Sequence, residues 1–169
     1  MDLYAKDDFV RILAFFYRTM IASVPLLRFA STLSTGPLHD YFVKHIDEER
    51  GHEVMQLHDL NALGVSEIPF AHYAAQFAGS QYYLIAHEHP ALLLGYMRAM
   101  ESGVMPAEEV AKLEAHHGIE LTCLRHHAIH DPQHSTDLTE MIDALDEPMK
   151  ARVLWNEMHT RNMLMNARI

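Results

Sequence analysis

Residues 38–64 read LHDYFVKHIDEERGHEVMQLHDLNALG, and this stretch decides the fold class. Apolar residues recur in it at helical spacing, charged and apolar faces separate, and Gly64 suits the left-handed position just past a helix end. The reading is one helix from about Leu38 to Leu63. Within it His45, Glu49 and His52 fall within roughly 60° of one another at about 100° per residue, so they share a face. Glu48, in the run Asp47-Glu48-Glu49-Arg50, reads as part of a solvated face.

The same period recurs on both sides, and no stretch alternates apolar and polar residues long enough to make a strand. A first helix is expected from about Lys6 to Leu33, bent or broken by Pro25, with Ser34 to Pro37 as the turn after it. After a turn around Pro69 come a segment from Ala71 to Ala86, an interruption at His87-Glu88-His89-Pro90, and a helix from Ala91 to Ser102. Beyond the break at Gly103 to Pro106, a short helix fits Ala107 to His116 and stops at Gly118. A histidine-rich helix then runs from Ile119 to about Leu145 with Pro132 inside it, and a last helix runs from near Pro148 to the C-terminus. With no repeat, linker or low-complexity tract, the expectation is all-α: one domain over residues 1–169, a bundle of about six or seven helices.

Composition narrows the function. With 169 residues and 49% hydrophobic content, the chain is long and apolar enough for one proper core. A formal net charge of -10 leaves no basic stripe for nucleic acid or an anionic membrane, so the expected partner is a small molecule. The single cysteine, Cys123, excludes an internal disulfide framework and reads as buried bulk rather than a nucleophile. No signal-peptide pattern opens the chain, and the apolar run Ile12 to Tyr17, bracketed by Arg11 and Arg18, is far short of the ~20 residues that span a bilayer. A cytoplasmic address is expected, and the apolar first and last helices suggest a homodimer.

The 14 histidines carry the chemistry. His127, Asp131 and His134 repeat on the sixth helix the stripe that His45, Glu49 and His52 make on the second. Glu101 ends an apolar helix that starts Ala91-Leu92-Leu93-Leu94, where a carboxylate needs a partner. Three helices offering inward imidazoles and carboxylates meet the needs of a transition metal that prefers nitrogen and oxygen, and Glu49-x-x-His52 has the spacing found in di-iron carboxylate bundles. Glu120, seven residues before His127, is a candidate to orient an imidazole from behind, with plain solvent exposure as the equal alternative. Tyr82, Tyr83, Tyr96 and Phe77 are expected to orient a substrate, while His58, His72, His87, His89, His116, His117, His126, His130 and His159 get no role.

Three strings also carry a resemblance: His45-x-x-Glu48-Glu49-x-Gly51-His52 followed by Asp59-Leu60-x-x-Leu63-Gly64; His89-Pro90-Ala91-Leu92-Leu93-Leu94-Gly95-Tyr96 leading to Glu101; and His127-x-x-x-Asp131-x-x-His134. In this order, over about Leu38 to Leu145, the chain resembles the heme-oxygenase-like di-iron oxidases. The resemblance implies a heme-oxygenase-like helical bundle holding two irons that activate dioxygen to oxidise a small organic substrate: an amine, amino acid or fatty acid. It implies His52, Glu101, His127, Asp131 and His134 as iron ligands, with Glu49 as the remaining carboxylate and no catalytic residue beyond the ligands. Some relatives carry a carboxylate seven residues before the histidine, where this chain has His45. That change makes His45 a further candidate ligand, and makes a weakened site, a single metal or manganese the variants to test.

Two other readings stand beside it. One is a cofactorless or thiaminase-type enzyme on the same fold, the latter needing a cysteine nucleophile. The other is a non-enzymatic metal-binding, heme-binding or interaction module. A true heme oxygenase is not expected, because its heme ligand lies in the first helix and no histidine precedes His39.

Overall fold

The structure, a computed structural model, describes residues 2–68, 72–103 and 105–166. It is an all-α bundle: α1 (Lys6–Thr32), α2 (Gly36–Glu49), α3 (His52–Ala62), α4 (His72–His87), a 3₁₀ turn (Pro90–Leu92), α5 (Leu93–Glu101), α6 (Ala107–His117), α7 (Thr122–Asp143) and α8 (Glu147–Met165). The expected turn at Pro69, the start of its following segment at Ala71 and the last three residues of the chain lie outside the described residues.

One expected helix is two. Between α2 and α3, Arg50 turns extended and Gly51 takes φ 95°, a left-handed conformation that costs a residue with a Cβ about 1–2 kcal/mol. The Gly51 carbonyl then accepts from the N–H groups of Val54 and Met55 and starts α3 at once. Counted as halves of one broken rod, α2 and α3 bring the described helices to the expected number. The prolines interrupt neither helix: α1 runs on through Pro25, which does not break it, and α7 contains Pro132 as expected.

Two apolar clusters make the core. The larger gathers residues of α1, α2, α4, α5, α7 and α8, including Phe42, Phe77, Leu94, Leu138 and Val153. The smaller gathers Phe9, Leu13, Leu60, Leu113 and Leu121 from α1, α3, α6 and the start of α7. Between Cys123 and Leu138 on α7, and from His45 to Gln56 on α2 and α3, the buried set includes polar side chains: His45, His52, Gln56 and Asp131. A polar layer therefore separates the two clusters, and burying it requires partners inside it.

Three contacts hold the elements around that layer. Asp59 on α3, fully buried, accepts from the N–H groups of Thr122 and Cys123, each at 2.9 Å, and so caps α7 from 63 residues away. Gly95 lets α5 lie directly on α8, where a Cβ would fall onto the Val153 carbonyl oxygen and 2.8 Å from the Glu157 nitrogen. Asn156, wholly buried on α8, donates to Gln81 on α4 and to the Leu92 carbonyl. Among the described residues, α1 is the one helix long and apolar enough to cross a membrane, and it packs against α2, α3 and α4.

Candidate functional site

Four elements bring their polar side chains to the layer. α2 contributes His45, Glu48 and Glu49; α3 begins with His52; α5 ends with Glu101; and α7 supplies His127, Asp131 and His134. His45 lies at the middle. Its Nδ1 is 3.0 Å from Glu48 Oε2, and its Nε2 is 3.1 Å from Glu101 Oε1 and 3.8 Å from Glu49 Oε1. His52 Nδ1 faces Glu49 Oε1 at 3.4 Å across the helix break. On α7, His127 Nδ1 is 2.9 Å from Asp131 Oδ1, and His134 lies 3.9 Å from the same oxygen. The halves meet where the His52 and His127 rings stand 4.8 Å apart and those of His45 and His134 5.3 Å apart.

The charges in this layer are strongly perturbed. Burial works to raise the Glu49 carboxyl, but His52, His45 and His127 around it outweigh burial and hold it at about 2. Burial raises Glu101, with only part of the effect offset by His45. Burial also disfavours a charge on His45 and on His127, yet Glu101 and Glu49 raise the first, and Asp131 and Cys123 push the second up to about 10. The carboxylates thus favour a charge on His45 and on His127 when these groups answer only to one another.

Several atoms remain unanswered. His52 Nδ1, Glu101 Oε2, His127 Nε2 and His134 Nδ1 are buried without a hydrogen-bond partner, and so is the hydroxyl of Tyr41, whose ring stacks 5.8 Å from His45. Such groups each cost about 1–3 kcal/mol. All four nitrogen and oxygen atoms belong to the sequence-derived ligand set. Among the described residues, no three His, Cys, Asp or Glu side chains stand in an arrangement that would already hold a metal ion. They are paired off instead, and closing them on an ion requires χ rotations that exchange those pairs. In donor chemistry the set fits iron: imidazole and carboxylate, buried, with unpaired lone pairs.

A cavity of about 200 Å³ opens beside the cluster, walled on one side by His45, Glu49, Glu101, His127 and Asp131. Its other walls are apolar, with Phe16, Met20 and Leu27 of α1 and Tyr96, Met97 and Met100 of α5. Among the described residues, no Lys or Arg lines it.

Some expectations need correction. Glu48 is not merely a solvated charge: only about a quarter exposed, it bonds to His45 and lies 4.0 Å from His134. Glu120 orients no imidazole, because α7 starts at Thr122 and leaves Glu120 on the preceding turn, 78% exposed and 3.7 Å from Arg125. Asp131 is what holds His127. Of the expected substrate-facing aromatics, Tyr96 lines the cavity, whereas Phe77 is core packed on Tyr96, and Tyr82 and Tyr83 face outward on α4. Cys123 is fully buried between Met20 and the His52 carbonyl, and burial pushes its thiol up. His126 was passed over, yet its ring lies 4.8 Å from His52, as near as that of His127. Its one sequence signal was its place beside His127.

Compared with protein-family models, with curated proteins and with solved structures, the chain finds no match.

Proposed function

We propose that this chain is a non-heme iron oxidase or oxygenase that holds two iron ions between its helices and uses dioxygen to oxidise a small organic molecule, in the manner of the heme-oxygenase-like di-iron oxidases it resembles. The observation that carries the reading is the set of four buried nitrogen and oxygen atoms on three helices that make no hydrogen bond, every one on a residue the sequence marks as a ligand. Glu49, His52, Glu101, His127, Asp131 and His134 would hold the metal, with His45 as a further donor. Ferrous iron held there supplies the electrons that reduce dioxygen.

The rest is the work of the chain. Asp131 accepts from His127 Nδ1 at 2.9 Å, which fixes that ring and leaves Nε2, which makes no hydrogen bond, as the atom that would bind the metal on losing its proton. His45 bridges Glu48 and Glu101 and can pass a proton from its Nε2 to Glu101 Oε1 over 3.1 Å. The apolar walls of α1 and α5 exclude water from the cavity and select a substrate with an apolar body. A cysteine-nucleophile reading is disfavoured by the fully buried Cys123 thiol, raised rather than lowered.

The test is elemental analysis of protein produced in iron-supplemented medium, with anaerobic ferrous titration of wild type and a His127→Ala/His134→Ala variant. About two irons per chain, lost in the variant, is the expected result, followed by oxygen-triggered optical changes in the wild type. One iron would mean that His45 spoils a site, and manganese would change the metal. No metal in either protein would sink the ligand assignment.

A further inference from the structure

On the outer side of α7, two histidines without an assigned role face each other. His126 and His130 stand four residues apart on one helix, their ring centroids 4.3 Å apart and their planes 35° from parallel. This is the spacing at which two helical side chains meet, and two imidazoles there present nitrogen donors to one small cation. Other histidines outside the centre are engaged differently: His116 and His117 lie within hydrogen-bonding distance of backbone carbonyls of Tyr4 and Leu3, and His159 stacks on Trp155. His130 is exposed and His126 half-buried, so one ring faces solvent and the other faces inward.

The inward direction has a destination. The His126 ring lies 4.8 Å from the His52 ring, and His52 in turn lies 4.8 Å from His127. The imidazoles of His130, His126, His52 and His127 thus form an unbroken chain from the surface to the buried donors. A net charge of -10 raises the local concentration of cations around the protein.

We infer that His126 and His130 form a second, solvent-side binding site for a divalent first-row transition metal, from which the ion passes along His52 to the buried cluster. Binding exchanges two waters of the hydrated ion for two imidazole nitrogens, and transfer exchanges these in turn for His52 and the donors behind it. The binding step stands on the pair alone, whereas the transfer step rests on the proposed reading of the buried donors.

The experiment is anaerobic titration of the chelator-treated full chain with cobalt(II), followed by visible absorption, in wild type, His126→Ala/His130→Ala and His127→Ala/His134→Ala. In wild type, a weakly absorbing, water-rich cobalt species is expected beside a more intense buried one. The weak species should persist in the inner variant and lose about a hundredfold in affinity in the outer variant. Mixed rapidly with cobalt, the outer variant should reach the wild-type intense signal about tenfold more slowly. The single variant His130→Ala, which alters only an exposed ring, should reproduce the loss with unchanged circular dichroism. An outer variant that binds cobalt as wild type does overturns the site. Equal loading rates overturn the transfer step. An inner variant that keeps every cobalt species overturns the buried reading, and with it the transfer, while a loss in the outer variant still supports the surface pair.

Discussion

The two halves of the centre are built on opposite principles. On α7 an unbroken helix sets His127, Asp131 and His134 along one stripe, and its two imidazoles keep 21% and 11% of their surface. On the other side the helix is broken at Gly51, yet the His45 and His52 side chains are each only 3% exposed. The regular stripe can present its donors only along a line that grazes the surface. The break lets the chain start a new axis, so that His52 stays beside Glu49 while α3 leaves in a direction that brings Asp59 under the N-terminus of α7. Spacing suffices to read the first half. The second needs the glycine.

Changes that break this pairing should rank by what they unhook. Asp59→Ala removes the buried carboxylate joining α3 to α7 and strands two backbone donors, so urea unfolding should show a loss of about 4 kcal/mol. Gly95→Ala forces α5 away from the α8 backbone and carries Glu101 with it. A loss of about 3 kcal/mol is expected, with a weaker His45–Glu101 contact seen as a shift in the His45 imidazole resonances. Gly51→Ala strains only the broken half: about 1–2 kcal/mol by thermal melting, with the His127–Asp131 pair unchanged in the same spectra.

The contrast can also be sharpened through pH, in chelator-treated protein. His127 rises from 6.5 to about 10 in the fold, so its contribution is complete below about pH 6.5 and disappears as pH climbs through about 10. Glu49 falls from 4.5 to about 2, so its contribution is complete above about pH 4.5 and disappears as pH drops through about 2. The stability difference between wild type and His127→Ala should therefore shrink on the alkaline side, and that between wild type and Glu49→Gln on the acid side. Parallel pH curves for the two pairs would erase the distinction between the halves.

The same contrast explains what the sequence could show. Period-3.6 patterning marks every helix that buries an apolar face, and it placed α7 and the end of α3 at Gly64, where φ is 86°. It was blind to the break because Arg50-Gly51 interrupts the backbone without interrupting the pattern: His52, Gln56 and Leu60 are buried on α3 as they would be on a continued helix. At Pro25 the sequence allows a break that the structure does not make, since local propensity yields where the surrounding packing holds a helix together. Glu48 reads as solvent-facing charge because its helical neighbour Lys44 is a surface residue and its contact with His134 comes from α7. Glu120 looked like a partner because a seven-residue spacing has meaning only inside a helix, and it lies outside.

Because the donor atoms come from four separate helices, nothing short of unfolding parts them, and anything that closes on them is tied to the fold itself. Free energy released on occupancy appears in full as resistance to heat: about 2.7 kcal/mol at a hundredfold excess over the dissociation constant. The melting temperature of this chain is therefore a ligand meter, and a panel of ions or small molecules can be ranked by melting shift before any reaction is known.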